Sequence, residues 1–189
     1  MNKKILTGIL VVVMCFILVG CGKNENNGGA SKDNTDQSEY QGNTEGGKDL
    51  KGVSTSNYKD VAKTVFGLEI KDVTGWTIKD AKSPNGVNNL NIEYTVSNGE
   101  DAKSILEYYF NLCKSLSTDG IYSIGFNESY TAVVKKDKYE DFNTYFTTAG
   151  TQIGDFYQVK WIYDNNGKSV QYAMNIEASK ADMSFVLLG

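Results

Sequence analysis

The chain of 189 residues has no histidine, and every one of its 19 basic residues is lysine. Without histidine it lacks the commonest general base, the commonest metal ligand and the usual switch near neutral pH. Without arginine it cannot clamp a carboxylate or phosphate through a planar fork of donors. Proline occurs once, at Pro84, and cysteine only at Cys15, Cys21 and Cys113. Positive charge is in deficit as well, since 23 acidic residues leave a net charge of −4. Nucleic acids and anionic lipid surfaces both require clustered positive charge, so neither is expected as a partner. No metal and no cofactor are expected either, because the residue types that would hold them are missing or scattered.

The one long apolar run, Ile5 to Val19, follows Lys3 and Lys4 and ends at a small residue, the three-part pattern of an export signal. Its 15 residues fall short of the roughly 20 that a spanning helix needs. The run closes in Leu18-Val19-Gly20-Cys21, which resembles the lipobox of bacterial lipoproteins at every position. This resemblance covers the first 21 residues. It implies that the Cys21 thiol takes a diacylglyceryl group through a thioether, and that a dedicated signal peptidase then cuts between Gly20 and Cys21. At about 0.8 kcal/mol per buried methylene, two acyl chains hold where one would exchange. The expected product is therefore anchored through Cys21 on the outer, extracytoplasmic face of the cell membrane. Cys15 leaves with residues 1–20, Cys21 is alkylated and Cys113 stands alone, so no internal disulfide is expected.

Residues 21–54 then form a tether rich in Gly, Asn, Ser, Thr and mixed charges. Such a composition buries too little surface to offset the entropy of ordering. As a flexible coil it reaches roughly 30 Å, with a limit of about 110 Å when extended.

From Thr55 to Gly189 the composition becomes that of a single globular domain, with regular apolar periodicity. Residues 57–66 predict a short helix with Val61, Val65 and Phe66 on one face. Glu100 to Ser117 predicts a longer one, with Ile105, Leu106, Tyr109, Leu112, Cys113 and Leu116 on a buried stripe. A third is expected from Lys138 to about Thr148, with Asp137 as its cap. Elsewhere the period falls to two. Trp76 and Ile78, then Leu90, Ile92, Tyr94 and Val96, predict a hairpin through residues 83–88. Residues 121–126 and 130–136 predict a second hairpin. Tyr157 to Tyr163, Val170 to Ile176 and Met183 to Leu187 predict three final strands, the first two joined by a tight turn at Asp164-Asn165-Asn166-Gly167. The expected fold is α+β: an antiparallel sheet of hairpins covered on one face by about three helices. Tyr58-Lys59-Asp60-Val61 and Tyr139-Glu140-Asp141-Phe142 both begin expected helices ahead of strands, a hint of a duplicated unit.

The candidate chemistry is thin. Cys113 lies on a buried stripe, where a free cysteine acts as a small hydrophobe. Asp164-Asn165-Asn166-Gly167 lacks the alternating oxygen ligands and distal Glu of a calcium loop, and Asn127-Glu128-Ser129, though it fits a glycosylation sequon, reads as a turn. Asp101, Glu107, Asp137, Glu140 and Asp141 have no spacing that selects a catalytic pair. Trp76 and Trp161 could stack on sugars, but both fall in phase with the apolar side of their strands.

These readings favour a non-catalytic module that binds a protein or polymer at the cell envelope. The alternatives are a small carboxylate-based cell-wall glycan hydrolase and a solute-binding lipoprotein. If Ile92, Tyr94, Trp161, Tyr163, Tyr172 and Met174 face the helices, then Asn91, Glu93, Thr95, Gln158, Lys160, Gln171, Asn175 and Glu177 face away. The expected binding face is centred on Asn91, Glu93, Lys160 and Gln171.

Overall fold

The computed structural model describes residues 52–98 and 100–188, and the side chains of all these but Asn85 and Val87. The signal segment, Gly20, Cys21 and the tether up to residue 51 lie outside the described residues. Val53 rests against the core. The Ser54 amide donates to Asn57 Oδ1 at 2.8 Å and so fixes the entry to the first helix.

Among the described residues three helices, α1 (Tyr58–Phe66), α2 (Ala102–Leu116) and α3 (Phe142–Ala149), accompany nine strands. The strands are β1 (Trp76–Lys82), β2 (Pro84–Val87), β3 (Asn89–Val96), β4 (Ile121–Phe126), β5 (Val133–Tyr139), β6 (Thr151–Ile153), β7 (Phe156–Asn165), β8 (Lys168–Ile176) and β9 (Lys180–Leu188). Eight strands form one antiparallel sheet in the order β1-β3-β9-β8-β7-β4-β5, with β6 added along the start of β7. The α+β architecture is as expected.

Each helix has a local reason to begin or end where it does. The Asp101 carboxylate accepts the Ser104 amide at 3.1 Å and opens α2. The Asp141 carboxylate accepts the Thr144 amide at 2.8 Å and opens α3. Helix α1 closes on Gly67, whose φ of 71° lets the chain turn back and which has no room for a Cβ beside Asn165.

Two boundaries differ from expectation. The third helix starts at Phe142 rather than Lys138, and its cap is Asp141 rather than Asp137. The residues between belong to β5, where Tyr139 pairs with Ile121 and the Asp137 amide donates to Ser123 Oγ at 3.2 Å. Backbone groups engaged in a strand ladder cannot also start a helix. Tyr58 therefore opens a helix while Tyr139 closes a strand, which removes the hint of duplication. Strand β5 also begins three residues later than expected, because Asn127 Oδ1 accepts the amides of Thr131 at 2.8 Å and Ala132 at 3.2 Å and organises a longer loop. The turn between β7 and β8 narrows to Asn166 and Gly167, both with positive φ, as a two-residue hairpin turn requires.

The core is a layer between the helices and one side of the sheet, and it is unusually aromatic. Phe66, Tyr109, Phe110, Tyr145, Trp161, Tyr172 and Phe185 are all essentially inaccessible. Trp161 stacks on Tyr172 at 4.7 Å between ring centroids and meets Phe110 and Tyr145 edge-on.

Candidate functional site

Strand alternation gives the sheet two unlike faces. Ile92, Tyr94, Trp161, Tyr163, Tyr172 and Met174 are buried in the helix-side core, as the sequence phase predicts. Their neighbours fall on the other side. Lys160, Thr95 and Glu177 are exposed, and Asn91, Glu93, Gln158, Gln171 and Asn175 are half-buried.

The strand register arranges these residues in straight rows. Asn91 on β3 lies opposite Ser184 on β9, Ser184 opposite Ala173 on β8, and Ala173 opposite Lys160 on β7. With strands about 4.8 Å apart, that row spans roughly 14 Å. A second row runs Glu93, Asp182, Asn175, Gln158. A third runs Asn89, Val186, Gln171, Ile162, Tyr122. The sheet thus gathers Asn91, Glu93, Lys160 and Gln171 on one surface with small residues, Ser184 and Ala173, at its middle.

Within this surface several polar groups already have partners. Gln158 Nε2 donates to Asn175 Oδ1 at 2.9 Å, and Lys180 meets Asp182 at 2.8 Å. Lys79 donates to Glu93 at 2.7 Å, and this bond holds the Glu93 carboxyl below its usual pKa. Lys160 differs: no carboxylate among the described residues lies within 4.0 Å of its ammonium.

One corner of the face departs from the simple alternation. Ile162 has the phase of the outer face and is nevertheless fully buried. Beside it, Lys135 reaches over the Tyr122 ring at 5.0 Å and bridges Asp119 at 3.1 Å and Asp164 at 2.5 Å. Burial draws the Lys135 pKa down, but the hydrogen bonds to Asp164 and Asp119 outweigh it and leave the pKa raised.

A concave feature lies at the start of β1. A cavity of about 230 Å³ is lined by Tyr58 of α1, Trp76 of β1, Tyr94 of β3 and Tyr109 of α2, with Lys71 and Asp72 of the α1–β1 connection. Trp76 packs against Tyr94 at 5.3 Å, tilted by 50°. The Trp76 indole N–H is buried and has no acceptor among the described residues. The two tryptophans therefore separate: Trp161 belongs wholly to the core, whereas Trp76 is half-buried and lines a cavity. Sequence phase could not find this grouping, because its four aromatic residues come from four different elements.

The remaining candidates have structural duties. Cys113 is fully buried, and burial pushes its thiol far above its ordinary pKa, with the Trp161 indole pulling weakly the other way. Asp101 and Asp141 cap helices. Glu140 pairs with Lys114 and Lys138, each at 3.4 Å, and Glu107 is an exposed residue of α2. Among the described residues no cluster of three or more His, Cys, Asp or Glu side chains is placed to hold a metal. Comparison with protein-family models, with curated proteins and with solved structures finds no match.

Proposed function

We propose that the chain is a membrane-anchored, non-catalytic binding module, held through a lipidated Cys21 and presenting the outer sheet face to a protein or polymer of the cell envelope. The observation that carries this reading is the row Asn91, Ser184, Ala173, Lys160, which crosses four strands without a bulky side chain at its centre. Flanked by the amides of Gln158, Gln171 and Asn175, it offers donors and acceptors at strand spacing to an extended polar partner. The tether expected from the sequence gives such a face freedom to reach away from the lipid surface.

No observation favours the hydrolase alternative. A glycosidase needs one carboxyl held protonated by a raised pKa, whereas hydrogen bonds and neighbouring lysines hold Glu93, Glu100, Asp101, Asp119, Glu140 and Asp141 below the usual carboxylate range. The solute-receptor alternative calls for a cleft between two lobes, and eight of the nine described strands share one sheet.

A photo-crosslinking residue placed at Lys160 or Gln171 in living cells tests the reading. Discrete adducts at these two positions, without the same adducts from exposed Glu128 on the β4–β5 loop, are the expected result. Identical adducts from all three positions, or none from the sheet face, would remove the support for it.

A further inference from the structure

We propose that the cavity beside Trp76 binds one neutral saccharide ring of the pyranose class. Its volume, about 230 Å³, lies below the roughly 300 to 1,000 Å³ of sites that take drug-sized molecules, so it suits a single ring. Half-buried Trp76 is the aromatic face open to the cavity, and the nearly inaccessible Tyr58, Tyr94 and Tyr109 back it from the core, which holds it fixed before any ligand arrives. A pyranose presents flat patches of C–H groups to such a wall and a rim of hydroxyls to its polar edge.

The polar groups narrow the choice further. The buried Trp76 N–H, like that of Trp161 in the core, has no acceptor among the described residues, but of the two only Trp76 lines the cavity, and a buried donor without a partner calls for an explanation. A sugar hydroxyl or ring oxygen would supply the acceptor. Charge at the cavity is balanced. Lys71 is shared with Glu100 at 3.4 Å and sits 4.7 Å from the Tyr108 ring centre, while Asp72 pairs with Lys59. A cationic ligand would meet Lys71 and an anionic one Asp72, so neither gains from entering. Neither Lys160 nor Gln171 lines the cavity, and the inference does not rest on the sheet-face reading.

The chain has two tryptophans, so fluorescence reports on the cavity with Trp161 as an internal background. The full chain, purified in a detergent without a sugar headgroup, is titrated with N-acetylglucosamine and with glucose. A saturable change in emission is expected with at least one of them. Trp76→Phe keeps a ring but loses the N–H and also the reporter, so its binding is read by equilibrium dialysis against labelled sugar, and it should be lost while the far-UV spectrum and the thermal transition stay in place. In this proposal the Asp72 carboxylate at the cavity rim accepts a hydroxyl of the sugar; it is 92% exposed, so Asp72→Ala should fold normally and weaken binding by about tenfold through the loss of that charge-assisted hydrogen bond. That arm decides the question if Trp76→Phe does not fold. The proposal is overturned by no saturable response up to about 100 mM sugar, a range beyond even weak specific binding. It is equally overturned by sugar binding that survives Trp76→Phe in the dialysis measurement, by unchanged affinity in Asp72→Ala, or by tighter binding of tetramethylammonium or adenosine.

Discussion

The Tyr145 hydroxyl donates to the backbone carbonyl of Lys160 and accepts from the backbone amide of the same residue, both at 2.8 Å. Lys160 sits in a gap on the edge of β7, where β6 has stopped pairing at Gln158 and β4 starts at Trp161. One side chain of α3 thus completes the ladder and fixes the backbone of a residue on the proposed binding face.

Tyr145→Phe should therefore leave a backbone donor and a backbone acceptor of Lys160 without partners, at a cost of about 1–3 kcal/mol. Tyr145 is fully buried among Phe110, Tyr139 and Trp161, so the ring should stay in place and the loss should come from the hydroxyl. Denaturant unfolding measures the stability, and hydrogen exchange at the Lys160 amide should accelerate more than at its neighbours in β7. Unchanged exchange there would mean that the gap is closed in another way.

How much of this was legible in the sequence depends on range. The phase of β3, β7 and β8 could be read because one face is apolar and the other polar, and a period of two then leaves no choice. Ile162 defeated the same rule. Trp161, Ile162 and Tyr163 are consecutive and apolar, and only the distant Tyr122 and Lys135 determine what adjoins the middle one. The start of α3 was misplaced for a similar reason. Asp137 and Asp141 are both plausible caps, and pairing of Tyr139 with Ile121, a non-local contact, decides between them. Of the candidate site, the residues of the face could be named from phase, but their alignment into rows is a property of register. The aromatic cavity was invisible, because periodicity treats Trp76 as one more inward-facing residue.

Replacing Lys160 and Gln171 together by Ala should change stability by no more than about 0.5 kcal/mol, because neither side chain has a hydrogen bond or ion pair to another described side chain. The thermal transition of the double variant measures this, and capture of any crosslinked partner should fall in parallel. A large loss of stability would show that the outer face is packed against something and is not a free surface.

Cys21→Ala tests the proposed anchor. A thioether cannot form on alanine, so incorporation of labelled fatty acid and partitioning into a detergent phase should both be lost, and cleavage after Gly20 should stop. A variant that still takes up fatty acid would place the lipid elsewhere, or show that the anchor is of another kind.

The last prediction concerns pH, and follows from the residues the chain lacks. Below neutrality, the relevant groups are the carboxyls whose folded pKa is depressed. Hydrogen bonds from Ser104 and from Thr144 lower Asp101 and Asp141, a bond from the Thr74 amide lowers Glu100, and Lys135 and Lys138 lower Asp119 and Glu140. Such groups contribute stability above the unfolded carboxyl pKa near 4, and that contribution is lost as pH falls through the folded value. With no histidine, no side chain has an ordinary pKa between this limb and the thiol. Cys113 comes next. Its ordinary pKa is 9.0 and burial raises it in the fold, so above about pH 8.5 the unfolded chain sheds a proton that the folded chain retains, and stability falls. The buried phenols of Tyr94, Tyr163 and Tyr172, raised chiefly by burial, add to this limb above their ordinary value of 10.0. Stability measured by denaturant should therefore be flat from about pH 5 to about pH 8 and decline on both sides. Cys113→Ala should lower the plateau through the lost packing, yet postpone the alkaline decline until the tyrosines titrate. An onset that does not move in that variant would mean that the thiol is not the first group to act.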